Sequence, residues 1–270
     1  MMPRVPRFSV NQVTTLGWSF ERDLDAYAAA GVPAIGVSIH KLEAVGAARG
    51  IRLVRERGLP VSCLTSSGPI PLERPAEAAH ALARAREHLA AAAELGAACL
   101  MLLPGTGYTL SWEEAARRAR EHVEGLCADA RRLGVRLALE PVSQLRMDLC
   151  FLHSFHDALD FADTIAAPEV GVVLELNNAW IERGLDANLR TRPDRIAVVQ
   201  VSDFKVGTMR ASERVMIGDG DIPLARLVGT LSAAGYAGWY DIELLGSAIE
   251  AEGYEAVVPR AMARFRELWT

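Results

Sequence analysis

In the second half of the chain, four apolar runs each carry a polar side chain at or near their end. An acidic side chain buried at such a position would need a positively charged partner. The runs RLALEP, GVVLEL, AVVQVSD and WYDIEL contribute one such side chain apiece. Lys and Arg are absent from the ends of these runs, apart from Lys205 just beyond the third. Burying several carboxylates without a counter-charge is prohibitive, and a divalent cation solves this problem. We therefore predict an all-oxygen cage for Mn²⁺ or Mg²⁺, formed by Glu140, Glu175, Gln200 and Glu243.

Each of these residues also has an ordinary structural interpretation. A single Glu at the end of a strand is usually one half of a salt bridge or an acid that caps a helix. One such residue on each of four successive runs is much harder to explain in that way. The pattern therefore favours one shared site over four unrelated structural roles.

Eight short apolar runs alternate with helical stretches along the whole chain. Several of the helical stretches end in glycine, as at Gly31, Gly96 and Gly134, which is typical of helix C-termini. This alternation favours an α/β fold, a single (β/α)8 TIM barrel, with one domain over residues 1–270. Functional groups then lie at the C-terminal ends of the strands or just after them. The predicted strands are 8–12, 34–40, 61–67, 99–105, 136–141, 171–176, 197–203 and 239–244.

The composition excludes several classes of protein. A net charge of −5 and a pI of about 5.7 disfavour nucleic acid as a partner. We expect no membrane span, because no apolar run reaches about 18 residues. The start MMPRVPRFSV lacks the apolar core of a signal peptide, and the four cysteines show no metal-binding spacing. We therefore expect a cytoplasmic protein with reduced, mostly buried thiols.

One pattern runs through nearly the whole chain. It begins with FSVNQVTTLGWSFERDLDAYAAAGVPAIGVS, continues through LALEP, GVVLELNNAW and RIAVVQVSDF, and ends with RVMIGDGDIPLARLVGTLSAAGYAGWYDIEL. The last stretch is the most specific, with a Gly-Asp-Gly loop, a helix start, AGYAGW and an acidic strand. In this pattern the chain resembles the sugar phosphate isomerase/epimerase superfamily, the xylose isomerase-like TIM barrels.

The resemblance implies a metal site and also shows where this chain departs from it. Members of the superfamily usually hold the metal with Glu, Asp, His and Glu, roles that fall on Glu140, Glu175, Gln200 and Glu243. Glu175 replaces Asp and is one methylene longer, and Gln200 replaces His, as in some dehydratase members. Asn178 stands where the superfamily usually has a His. An amide orients a hydroxyl group but does not carry a proton near neutral pH as an imidazole does.

The resemblance also implies the reaction, which is isomerisation or epimerisation of a sugar- or polyol-like hydroxyketone through an enediolate. Glu140 and Glu243 would move the proton from opposite faces, with a cation stabilising the developing oxyanion. The segment 206–217 is expected to cover the pocket as a lid. Substrate contacts are expected from His40, Asn178, Trp180, Asp203, Lys205 and Arg214.

Two other functions remain open at this point. One is a lyase that removes water from a cyclic hydroxyketone at the same metal site, as in inosose and 3-dehydroshikimate dehydratases. The other is a barrel that has lost its metal and works as a metal-free enzyme or a binding protein. Endonuclease IV relatives are set aside, because they need further His ligands and a DNA partner. The expected partners are a small polyol or ketone substrate and, in a homodimer or homotetramer, further copies of the chain.

Overall fold

A computed structural model describes residues 6–269 as a closed barrel of eight parallel strands enclosed by helices. The strands are β1 (Phe8–Asn11), β2 (Ile35–Val37), β3 (Val61–Ser67), β4 (Cys99–Leu102), β5 (Arg136–Leu139), β6 (Val170–Glu175), β7 (Ile196–Val201) and β8 (Trp239–Ile242). Each strand pairs with the next along the chain, and β8 pairs with β1, so that Phe8 faces Tyr240. The predicted (β/α)8 TIM barrel is therefore confirmed.

The described helices surround the barrel, and three of them end directly at glycines that the sequence predicted as C-terminal caps. Gly31, Gly96 and Gly134 each adopt the left-handed conformation directly after a helix, as expected for C-terminal caps. The helices are α1 (Phe20–Ala30), α2 (Ile39–Val45), α3 (Ala47–Glu56), α4 (Pro75–Leu95), α5 (Trp112–Leu133), α6 (Phe155–Thr164), α7 (Leu176–Ala179), α8 (Leu185–Thr191), α9 (Leu224–Ala233), α10 (Ser247–Glu252) and α11 (Tyr254–Glu267).

Most of the strands end earlier than the sequence predicted, and this changes the position of His40. The second strand stops at Val37, and Ser38 leads directly into α2. Two buried side chains hold this turn, because Gln12 Oε1 accepts from the Ser38 N–H at 3.0 Å and Thr65 Oγ1 from the Ile39 N–H at 3.1 Å. His40 therefore lies in the first turn of α2 and is exposed. Its expected place at the end of the second strand was wrong.

Two further expectations from composition can be compared with the structure. All four cysteines are buried free thiols, as expected. None of the helices within residues 6–269 combines the length and the hydropathy that a membrane crossing requires.

A polar network fills the lower interior of the barrel around Asp241 of β8. Its carboxylate accepts hydrogen bonds from Ser9 Oγ at 2.5 Å and from Asn11 Nδ2 at 2.6 Å, and all three residues are fully buried. Burial raises the pKa of Asp241, and these hydrogen bonds partly offset that rise. The network has room only because residue 36 of β2 has no side chain. A Cβ atom on Gly36 would lie 2.6 Å from Asp241 Oδ1 and 2.7 Å from Asn11 Nδ2.

The substitution Gly36→Ala is therefore expected to lower the free energy of unfolding by about 2 kcal/mol or more, because the rigid network has to shift. Urea denaturation measures the change. The control is Gly229→Ala in α9, where a Cβ atom meets nothing within 4 Å. That change should stabilise the protein by up to about 1 kcal/mol, because Ala is the better helix former. Equal stabilities of the Gly36→Ala variant and the wild type would contradict this account of the network.

Candidate active site

The four side chains predicted to share a site do surround one cavity, of about 130 Å³, at the C-terminal end of the barrel. Glu140 directly follows β5, Glu175 ends β6, Gln200 lies near the end of β7, and Glu243 directly follows β8. Parallel strands in a closed barrel bring these chain positions to the same face. Asn178, Arg146 and Arg214 also line the cavity.

Glu140 is enclosed by the barrel and keeps part of its surface open to the cavity. Burial raises the pKa of its carboxyl group to about 7, and the nearby Glu175 carboxylate adds to the rise. A hydrogen bond from Ser66 Oγ to Glu140 Oε2 opposes it. A carboxyl group with a pKa near neutrality is suited to act as a general base.

Glu243 faces the same cavity from β8. Burial raises the pKa of its carboxyl group well above the ordinary value, and the carboxylates of Glu140 and Glu175 raise it further. Gln200 donates a hydrogen bond from Nε2 to Glu243 Oε2. The other amide atom, Gln200 Oε1, is buried and has no hydrogen-bond partner among residues 6–269. Such an orphaned oxygen is rare in folded proteins and calls for a partner.

Glu175 has a cation beside it that the sequence analysis did not foresee. Arg214, in the loop after β7, places Nη2 at 3.0 Å from Glu175 Oε2, and the two side chains are only 10% and 8% exposed. The expectation that these strand ends lack a basic partner was therefore wrong. The two residues are 39 positions apart, and only the path of the loop brings them together.

The donor set fits a divalent cation in its chemistry. Three carboxylates and the unpartnered oxygen of Gln200 supply only oxygen ligands, which hard ions such as Mn²⁺ and Mg²⁺ prefer. The arrangement of these side chains fits a metal ion less well than their chemistry does. Within residues 6–269, no three His, Cys, Asp or Glu side chains converge closely enough to hold a metal ion. The ion pair of Glu175 with Arg214 keeps one of the carboxylates engaged elsewhere.

The structure divides the expected substrate contacts into two groups. Asn178 and Arg214 line the cavity. The other four do not line it. Trp180 packs against the hydrophobic core, and Lys205 is exposed, with Nζ donating to the carbonyl oxygen of Asp219 at 3.2 Å. His40 and Asp203 also lie outside the cavity lining.

Asp203 is 1% exposed, and its carboxylate binds the backbone of the loop after β7. Its Oδ2 accepts from the backbone N–H groups of Gly218 at 2.9 Å and Gly220 at 3.1 Å. Its Oδ1 accepts from the N–H groups of Phe204 at 2.8 Å and Ile222 at 3.2 Å. The Gly-Asp-Gly turn therefore points the N–H groups of Gly218 and Gly220 at this buried carboxylate.

The segment 206–217 runs beside the cavity, as the expected lid would, because Ala211, Ser212 and Arg214 all line it.

Two residues that contribute to the site were absent from the set predicted from the sequence. Ser66 donates to Glu140, and Arg146 lines the cavity from the loop after β5. The position of Ser66 near the end of β3 was the available signal for that residue, whereas Arg146 lies well beyond the end of β5 and its position gave none.

Comparison with known proteins gives a consistent picture of the fold. A family model described as a xylose isomerase-like TIM barrel matches residues 24–268. A solved structure of a Sinorhizobium meliloti protein is 27% identical, with a TM-score of 0.91, and the match covers 98% of this chain and 99% of that one. A search of curated proteins found no match.

Two more distant structures carry names that indicate an activity or a ligand. One is described as IolI protein with a binding zinc atom; it is 18% identical, has a TM-score of 0.86, and the match covers 97% of this chain and 98% of that one. The other is an L-ribulose 3-epimerase, 19% identical with a TM-score of 0.78, for which the match covers 98% of this chain and 94% of the epimerase. At these identities the similarity establishes the shared fold.

Proposed function

Because the chain belongs to the xylose isomerase-like TIM barrel family, we propose that it is an isomerase or epimerase of a sugar- or polyol-like hydroxyketone. The observation that supports this proposal most strongly is the pair Glu140 and Glu243. They face one cavity from different strands, and the pKa of each carboxyl group is raised, to about 7 for Glu140 and well above the ordinary value for Glu243. The epimerase among the similar structures agrees with this chemistry.

The two carboxyl groups are suited to opposite halves of a proton transfer. Near neutral pH a substantial fraction of Glu140 is ionised and can remove the weakly acidic proton next to a carbonyl group. Burial and the neighbouring carboxylates raise the pKa of Glu243 well above its ordinary value, which favours the protonated form that can deliver a proton. Return of the proton to the other face of the same carbon is epimerisation, and its return to the neighbouring carbon is isomerisation.

Other groups around the cavity would hold the substrate. Asn178 offers an amide to a substrate hydroxyl group, and the guanidinium group of Arg146 offers donors to substrate oxygens. Arg214 would contribute donors only when its ion pair with Glu175 opens. These contacts would keep the reacting carbon within reach of both carboxyl groups.

A bound Mn²⁺ or Mg²⁺ ion would supply Lewis-acid stabilisation of the negative charge that develops on the substrate oxygen. Glu140, Gln200 and Glu243 are the residues that would hold it, with Glu175 as a further ligand if its ion pair opens. The buried oxygen of Gln200 is the atom best suited to such a ligand bond, because none of the described residues donates a hydrogen bond to it.

A lyase is the second candidate, and one observation favours it. No His among the described residues lines the cavity, so a protonated carboxyl group is the available acid. Glu243, with its strongly raised pKa, could protonate a departing hydroxyl group after Glu140 has removed the proton. Loss of water from a cyclic hydroxyketone would then replace return of the proton to carbon.

Proton exchange distinguishes these functions. Ketoses and cyclic hydroxyketones are incubated with the protein in D₂O, once with Mn²⁺ and once with a chelator, and followed by NMR. Deuterium at the carbon next to the carbonyl group, without loss of water, is expected for the proposed isomerase or epimerase. Loss of water supports the lyase. A panel that shows neither exchange nor elimination under either condition would overturn both.

A further inference from the structure

The ion pair between Arg214 and Glu175 occupies one oxygen of a carboxylate that lines the cavity. Arg214 Nη2 lies 3.0 Å from Glu175 Oε2. The other oxygen, Oε1, accepts from the Asn177 N–H at 3.1 Å and lies 3.5 Å from Ser202 Oγ. Glu175 thus has protein partners on both oxygens, whereas Gln200 Oε1 has none in the part of the chain that the structure describes.

The guanidinium group of Arg214 is also held on its other sides. It donates to the carbonyl oxygen of Ala211 through Nη1. With its amide group turned, Asn177 presents its oxygen to both terminal nitrogens of Arg214 at 3.2 Å. Each of these partners is an oxygen acceptor, so the guanidinium group is a nearly saturated cation in a largely buried setting.

The backbone that carries Arg214 is fixed by hydrogen bonds at residue 214 itself and at residue 215. The Arg214 N–H donates to the carbonyl oxygen of Leu245 at 2.8 Å, and the next N–H, of Val215, donates to the carbonyl oxygen of Asp203 at 3.0 Å. The carboxylate of Asp203 holds the glycine turn that follows. Arg214 is therefore presented to Glu175 by an anchored loop and not by chance contact of a long surface side chain.

We propose that Arg214 is the resident cation of Glu175, and that a divalent ion gains Glu175 as a ligand only by displacing this guanidinium group. Residue 214 then sets the metal affinity of the site. Glu140, Gln200 and Glu243 would hold the ion while Glu175 stays paired, and the positive charge of Arg214 at the same cavity would weaken its binding. This inference deepens the proposed function, on whose metal site it rests.

The test is Mn²⁺ affinity of chelator-treated protein without substrate, measured by the electron paramagnetic resonance signal of free Mn²⁺. The substitution Arg214→Met removes the competing cation and should tighten Mn²⁺ binding at least about tenfold. The matched control is Arg210→Met, which removes the same charge from an exposed position in the same loop. Its affinity should stay within about twofold of the wild type. Equal or weaker binding by Arg214→Met would overturn the proposal.

A double variant tests the same idea without leaving a buried charge unpaired. Glu175→Gln with Arg214→Met removes both charges, keeps the net charge of the site, and is expected to fold, because uncharged side chains of similar shape commonly replace buried ion pairs. Its Mn²⁺ affinity should stay within about threefold of the wild type, since in the wild type Glu175 is engaged with Arg214. A loss of tenfold or more would mean that Glu175 already binds the metal, and the proposal would be wrong.

Failure here is separable from failure of the proposed function. The Mn²⁺ titrations involve no substrate, whereas the deuterium exchange assay reports proton transfer with or without added metal. An active enzyme whose Mn²⁺ affinity does not change when residue 214 is substituted would refute this inference alone. Tenfold tighter binding by Arg214→Met, with no exchange on any substrate, would support it and refute the isomerase.

Discussion

Replacing Glu140 with glutamine is expected to reduce turnover by about 10²- to 10⁴-fold, the range that a positioned general base contributes. The variant keeps the shape of the side chain and an oxygen that can accept the hydrogen bond from Ser66. It loses the ability to take up a proton, and it offers a bound cation a neutral oxygen in place of a carboxylate. The loss should appear in the rate of deuterium incorporation at saturating substrate, with little change in KM, because removal of a group that acts in the transition state lowers kcat.

Two further variants serve as a second test and as a control for this result. Glu243→Gln should cause a loss of similar size, because the opposite half of the proton transfer fails. Glu56→Gln changes an exposed carboxylate on α3, with a side chain 57% exposed, and should leave turnover unchanged. Full activity of Glu140→Gln would remove the central support for the proposed mechanism.

The same variant has an expected effect on stability that runs opposite to its effect on activity. In the folded protein the pKa of Glu140 is about 7, raised from an ordinary value of 4.5. Between these values the folded state holds a proton that the unfolded state has released, so the free energy of unfolding falls as pH rises through this window. In chelator, at about pH 8, Glu140→Gln should exceed the wild type by on the order of 3 kcal/mol. The difference should shrink toward about pH 4, and an equal difference at both pH values would contradict it.

Replacing Asp203 with alanine is expected to cost about 3 to 5 kcal/mol of unfolding free energy, the largest stability effect we foresee outside the apolar core. Four backbone N–H groups lose a charged acceptor at once, and each buried donor left unpaired is costly. The loop that presents Arg214 also loses its anchor. Urea denaturation measures the first effect, and faster cleavage by trypsin after Arg210 or Arg214 in the native protein measures the second.

The control for this experiment is Asp25→Ala. Asp25 pairs with Arg57 at the surface, and its side chain is 69% exposed, so the change should fall within about 0.5 kcal/mol of zero. If Asp203→Ala were as stable as that control and as resistant to trypsin as the wild type, Asp203 would not be the anchor of the loop.

Much of this site could be predicted from the chain alone, for a reason that lies in barrel geometry. Eight apolar runs separated by helical stretches have few ways to close, and closure brings every strand end to one face. Polar residues directly after apolar runs are then neighbours whatever the length of the connecting helix. Glu140, Glu175, Gln200 and Glu243 were found in this way and do surround one cavity.

What only the tertiary structure decided is the path of the loops and the pairing of side chains across them. Strand ends are positioned by periodic hydrogen bonding, whereas a loop residue reaches its partner through backbone turns that have no sequence period. His40 lies in α2, and the carboxylate of Asp203 accepts hydrogen bonds from a glycine turn. Arg214 pairs with Glu175, which lies 39 positions away in the chain. Composition and spacing therefore located the acids, and the fold of one loop decided which of them already has a cation.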